Sequence, residues 1–472
     1  MQSIEPRRNK KGHLFAADLF DAVEGIRRYG PDDRLSQRLV ENFTSSPTDA
    51  LALDVELWHP GDDVALADKW RVDVERVITE AGGFVVDRYV DHPHGIVLLR
   101  AKARPDIIRE IAEIDEIATI DLVPQAPPML ASALEATLDE IPEADAPSED
   151  APLVAVVDSG VNASHPLLSK SLYEATTLLP ELSDGADDHG HGTAVAGVLM
   201  NGPSEDFLLT GVVPPPFGRL LSIRVLDEHN RFPEGVLFEN AVADAVRYAA
   251  RLGARVINIS IGDPAGPLVR RRATPVASVI DALARELNVV IIVPTGNSHP
   301  IDYTSNDAQG AAEYVAQASR SPAAALIDPA PAALAITVGG TGQSAGLPKV
   351  GEVVLGGDEE PSALTRRGPG VARAVKPELV GPSGTMAWSP SLGFVERPRH
   401  LARILCSNDP TEIFRHDIGT SFAAPAVGRV ATAVGSENPT IKSAALTRAL
   451  VLQSAAPIIL DPKTLPAGKK QR

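Results

Sequence analysis

The chain of 472 residues holds a single cysteine, Cys406. No disulfide can form within it, and this usage fits a reducing compartment. No motif surrounds Cys406, which makes a thiol nucleophile a poor candidate. Basic residues are in deficit: 44 Lys and Arg against 62 Asp and Glu give a formal charge of −18. That field opposes a phosphate backbone, so no nucleic-acid partner is expected. Long apolar runs are missing too. The opening residues, MQSIEPRRNKKGHLFAADLF, are basic and polar without an apolar signal core, and no stretch approaches the roughly 18 residues that span a bilayer. The expectation is a cytoplasmic protein without a membrane partner.

What is present divides the chain into five parts. Residues 1–50 form an N-terminal extension with an amphipathic stretch near Leu14–Tyr29 and a polar stretch from Asn42 to Thr48. Over 51–123 the pattern sharpens. Leu53, Val55 and Leu57 alternate as in a strand, and Asp68–Ala81 carries Trp70, Val74, Val77 and Ile78 at helical spacing before Gly82-Gly83. Phe84–Tyr89 and Gly95–Ala101 read as strands joined across His92-Pro93-His94-Gly95. Pro105 opens a second helix with Ile107, Ile108, Ile111 and Ile114, and Ile117–Leu122 closes the set as a strand. The order βαββαβ is the ferredoxin-like arrangement. Residues 124–150 form a Pro-rich linker whose second half is acidic with no Lys or Arg, a composition that predicts an extended, exposed segment. Residues 151–460 alternate continuous apolar runs (Val154–Val157, Leu220–Leu226, Val256–Ile261, Val289–Val293, Ala333–Val338) with helical stretches such as Asn240–Leu252 and Pro275–Leu287. This pattern predicts an α/β fold, a parallel sheet with helices on both faces, and function at the carboxyl ends of its strands. A polar tail covers 461–472.

Three blocks in this large domain carry chemistry. Val154–Gly160 (VAVVDSG) places Asp158 where a buried strand meets a turn. His191–Gly197 (HGTAVAG) places His191 at the start of a small-residue helix, and Gly419–Pro425 (GTSFAAP) places Ser421 at the start of another. Alone, Asp158 reads as an ordinary strand-end cap and Ser421 as a helix N-cap. Together they supply a carboxylate to orient an imidazole, a base and a hydroxyl nucleophile, in the order Asp, His, Ser. His189 is the competing imidazole. A His189-x-His191 pair beside Asp187 and Asp188 could hint at a metal, but no further ligand set accompanies it.

These blocks resemble those of the subtilisin-type serine proteases, over roughly Pro152–Ala456. The resemblance implies Asp158, His191 and Ser421 as a catalytic triad. Asn297, in Pro294-Thr295-Gly296-Asn297 after the run Val289–Val293, is implied as the oxyanion donor. Ser260-Ile261-Gly262 resembles the family's strand end that pairs with the substrate backbone, and with Thr295 and Gly296 it is implied to line the specificity pocket, where Pro294 and Thr295 are bulkier than the family's usual residues. The βαββαβ unit resembles the family's inhibitory propeptide in topology and position. The stretch Val123–Leu130 would then lie along the cleft. No calcium-loop signature stands out: no cofactor is expected, and structural calcium of the family type stays open. The architecture also resembles subtilisin-like peptidases found beside AAA-type ATPases, some in anti-phage defence, which implies such an ATPase as a partner beside the protein or peptide substrate. The competing readings are a housekeeping maturation protease and a catalytically silent protease-fold scaffold.

Overall fold

The computed structural model describes residues 29–36, 39–40, 50–123, 143–263, 273–298, 324–344, 346–358, 360–389 and 394–456. The expected amphipathic stretch before Tyr29, the polar stretch from Asn42 to Thr48, most of the proposed linker and the tail lie outside them.

The first unit runs β1 (Leu51–Leu57), α1 (Val64–Glu80), β2 (Phe84–Asp91), β3 (Ile96–Ala103), α2 (Pro105–Ile111) and β4 (Ile117–Leu122). The strands form a sheet of order β2-β3-β1-β4, antiparallel at each pairing. This is the expected ferredoxin-like connection. Helix α1 begins earlier than the expected Asp68 because the Asp63 carboxylate caps it, accepting the Leu66 N–H at 3.0 Å. Strand β3 shows why this unit does not stand apart. Val97, Leu99 and Ala101 join the unit's own core with Val55, Ile78 and Ile108. On the other face, Ile96 and Leu98 belong to the core of the larger domain, together with Tyr89 of β2. A strand buried on both faces needs partners on both.

The larger domain contains a seven-stranded sheet with order β12-β10-β9-β8-β5-β7-β6, parallel throughout. Its elements in chain order are β5 (Leu153–Asp158), β6 (Leu172–Thr177), α3 (His191–Asn201), α4 (Ser204–Thr210), β7 (Arg219–Arg224), α5 (Phe238–Arg251), β8 (Val256–Ile259), α6 (Pro275–Glu286), β9 (Val290–Pro294), β10 (Ile336–Thr341), β11 (Val353–Val354), β12 (Leu379–Pro382), β13 (Ala387–Ser389), β14 (Phe394–Glu396), β15 (Arg403–Cys406), β16 (Phe414–Asp417), α7 (Thr420–Glu437) and α8 (Ala444–Ser454). Alternation along the strands sorts the core into two layers. Ala155, Val157, Ile257, Ile259 and Ile291 face α5 and α6. Val154, Val156, Val256, Ile292 and Val338 face α3 and α7.

Two expectations are corrected. The strand expected from Ala333 starts at Ile336, because the Asp281 carboxylate accepts the Ala333 and Leu334 N–H groups at 2.9 and 2.7 Å and holds them out of the ladder. The linker is not exposed through residue 150: Ala144 is 3% exposed and packs with Leu167, Phe207 and Phe414, while the acidic Glu143 beside it pairs outward with Lys170. Among the described residues no helix is long and apolar enough to cross a membrane.

Candidate active site

Strand β5 ends on Asp158, which is fully buried. One oxygen of its carboxylate accepts the Ser159 N–H at 2.8 Å and meets His191 Nδ1 at 2.6 Å. That contact makes Nδ1 the donor and leaves Nε2 as the basic nitrogen. His191 is the first residue of α3, and Gly192 lets this helix start touch the turn after β5: a Cβ there would stand 2.1 Å from the Gly160 carbonyl oxygen.

Gly190, at the N-cap of α3, has no side chain to satisfy the helix's first N–H groups. Asp187 supplies it. Its carboxylate accepts the N–H of Gly190 at 2.8 Å, the N–H and hydroxyl of Thr193 at 2.8 and 2.6 Å, and the hydroxyl of Ser159 at 2.8 Å. Ser159 Oγ in turn accepts the Gly192 N–H at 2.9 Å. Asp187 therefore ties the Asp158 turn to the His191 helix, a role its sequence neighbours did not reveal. The other acidic and imidazole neighbours turn elsewhere: Asp188 pairs with Arg224 at 2.7 Å, and His189 Nε2 contacts the Glu228 carbonyl at 2.5 Å. Among the described residues no three His, Cys, Asp or Glu side chains converge to hold a metal.

Burial pulls the His191 imidazolium down. The charge and hydrogen bond of Asp158, with the more distant Asp417 and Asp187, outweigh that and leave its pKa above the ordinary 6.5.

Ser421 is the second residue of α7, so its N–H lies in the turn that has no intrahelical acceptors. Phe422 brings this helix start against α3, with ring centroids of Phe422 and His191 5.7 Å apart. Pro425 lies inside the helix and removes the N–H that would bond to the Ser421 carbonyl. Ser260 Oγ replaces it, donating to the Ser421 carbonyl at 2.9 Å while accepting from Asn258 Nδ2 at 2.8 Å. The Ser260 side chain thus braces the start of α7.

Asn297 follows β9. Its Oδ1 accepts the N–H and hydroxyl of Thr420 at 2.9 and 3.1 Å, which turns Nδ2 the other way, beside Gly419. A Cβ at Gly419 would crowd that nitrogen at 3.2 Å. Ile261, Gly262, Thr295 and Gly296 end the neighbouring chain segments, and Thr295 N–H bonds to the Val338 carbonyl at 2.9 Å. Cys406 is buried, its thiol pushed up to about 12 by desolvation, so it stays protonated and unreactive.

Comparison with known proteins gives the family of the chain. A model of the subtilase family matches residues 149–470, more than half of the chain, and the chain belongs to that family of serine peptidases. A second model, described as the Y4kK central domain, matches residues 33–122. The chain is 35% identical over 225 residues to the uncharacterized protein y4bN of Sinorhizobium fredii, covering 44% of this chain and 50% of that protein. It is 32% identical over 113 residues to thermitase of Thermoactinomyces vulgaris, covering 24% of this chain and 38% of thermitase. It thus spans half or less of the length of these relatives. Among solved structures, the epidermin leader peptide processing serine protease of Staphylococcus aureus superimposes with a TM-score of 0.51 at 16% identity over 88% of this chain and 95% of that one, a likeness of fold.

Proposed function

We propose that the chain is a serine endopeptidase acting on proteins or peptides through Asp158, His191 and Ser421. The observation that carries this reading is the buried 2.6 Å contact of Asp158 with His191, at the carboxyl end of a parallel sheet and beside the helix that Ser421 opens. In the proposed reaction His191 Nε2 takes the Ser421 hydroxyl proton as Oγ attacks the substrate carbonyl. Asp158 holds the imidazole and stabilises its cation. Asn297 Nδ2 and the Ser421 N–H receive the oxyanion. The imidazolium returns its proton to the leaving amine, giving an acyl-enzyme that water cleaves by the same route.

The unit at 51–123 is proposed to restrain the enzyme. Supporting this, Arg100 of β3 is fully buried, paired with Asp54 at 2.7 Å, and donates to the backbone carbonyls of Pro233 and Val236 just before α5. Asp87 accepts the Leu237 N–H at 3.0 Å and the Asn240 amide at 2.6 Å. An AAA-type ATPase partner and a defence role rest on architectural resemblance; co-purification without an ATPase would count against them and favour a maturation role.

The test compares wild type with Ser421→Ala by intact mass and fluorophosphonate labelling, before and after limited proteolysis of 124–150. Labelling lost in the variant supports the nucleophile, and labelling gained on cleavage supports restraint. A wild type that never labels would leave the scaffold reading.

A further inference from the structure

We infer that Ile327 closes the floor of the slot that receives the side chain of the residue being acylated, and that the enzyme therefore cuts after small residues, alanine and glycine above all. This rests on the peptidase reading above.

The placement follows from the site. A substrate carbonyl at Ser421 Oγ, with its oxygen toward Asn297 Nδ2, is flanked by the segments that touch those two residues. One is Ser260–Gly262, bound to the Ser421 carbonyl through Ser260 Oγ at 2.9 Å. The other is Thr295–Gly296, which runs directly into Asn297. Each segment carries a glycine, Gly262 and Gly296, so neither places a side chain of its own in the gap between them. Here it is filled. A Cβ on Gly296 would stand 2.3 Å from both Cδ1 and Cγ1 of Ile327, and a Cβ on Gly262 3.7 Å from the same Cδ1. The branched side chain therefore lies between the two glycines.

Ile327 is held there firmly. It is 5% exposed. The next residue, Asp328, is pressed against the Gly262 segment through its carbonyl, which accepts the Asp263 N–H at 3.1 Å. Behind it stands the Arg366 stem, whose Cδ would be 3.3 Å from a Gly296 Cβ. That guanidinium donates to the carbonyls of Asn297 at 2.9 Å and Ala325 at 3.0 Å, so the stem cannot swing aside without breaking bonds next to the oxyanion donor. An aromatic or long aliphatic side chain would have to displace a buried isoleucine from a packed site, and overpacking of this kind is strongly disfavoured. A methyl group or a hydrogen needs no displacement.

The experiment uses the full chain in whichever form fluorophosphonate labels, intact or cleaved in 124–150, with active sites counted by that label. Succinyl-Ala-Ala-Pro-Xaa p-nitroanilides with Xaa Gly, Ala, Leu and Phe are compared by kcat/KM. Wild type is expected to favour Ala over Phe by about 100-fold. Ile327→Gly is expected to reverse the order by opening the slot, and Ile327→Val, which preserves the packing, to raise Leu severalfold while keeping Ala. A wild type that cleaves after Phe or Leu as well as after Ala overturns the inference, as does an enzyme that labels yet turns over no Ala peptide. Loss of labelling in every form removes the peptidase reading and the slot with it, whereas labelling with the wrong preference removes the slot alone.

Discussion

Two of the sites where described carboxylates are held away from water resolve the same electrostatic problem in different ways. At the end of β5, Asp158 meets an imidazole that can exist with or without its proton. Where β3 meets the start of α5, Asp54 meets Arg100, which cannot lose its charge. Glu239, the second residue of α5, is buried there as well, and its Oε2 has no hydrogen-bond partner among the described residues. Desolvation, and then the Asp54 charge, push its pKa up to about 8. One guanidinium does not neutralise two acids, so Glu239 takes up a proton. On the proposed reading, the contrast separates a pair that moves a proton during turnover from a cluster that holds one where two parts of the chain meet.

The largest break in this comparison should come from Asp158→Asn, which keeps the shape but removes the acceptor that fixes the imidazole. Turnover of a peptide per labelled site should fall by about 10⁴. Removing Arg100 acts on the other site: Arg100→Met strands Asp54 beside Glu239, and breaking a buried pair costs about 3–5 kcal/mol. Limited proteolysis should then release residues 51–123 far faster, and adding Asp54→Leu should restore much of the protection.

A subtler difference appears in pH profiles. In the proposed reaction His191 must be neutral to accept the serine proton, and its pKa is raised, so the acid limb of kcat/KM should have its midpoint above 6.5. Asp417→Asn, which removes one of the acids raising it, should move that limb to lower pH. The smallest effect belongs to Glu239. A raised folded pKa means that the stability its proton brings is complete below pH 4.5 and is lost as pH rises toward about 8. Calorimetry of wild type should show this decline, and Glu239→Gln should flatten it, with Tm higher than wild type by about 2–4 °C at pH 8.

The order of the three blocks, the strands of the parallel sheet and the βαββαβ unit were legible because each depends on local pattern: a motif at an element's edge, an apolar run, an alternation. The start of α1 was misplaced because Asp63 acts through a cap and carries no apolar signal. Ala144 was missed because the charges around it dominate the composition while its methyl group turns under. Asp187 was readable only as an acid near a histidine; its bonds to Ser159 and Thr193 require the folded turn. Ile327 had no local mark at all. Its meaning comes from two glycines distant in sequence: it fills the empty position of Gly296 and reaches to within contact of that of Gly262.

The parallel sheet takes Asp158 from its first strand and Ser421 from the helix that follows nearly everything else. During synthesis His191 and Asp158 can meet long before Ser421 has left the ribosome, and only long-range docking of α7 brings its hydroxyl toward them. A half-made or truncated chain therefore carries no complete site. On the proposed reading the topology itself would delay reactivity until the rest of the domain is in place, a timing device that needs no added part.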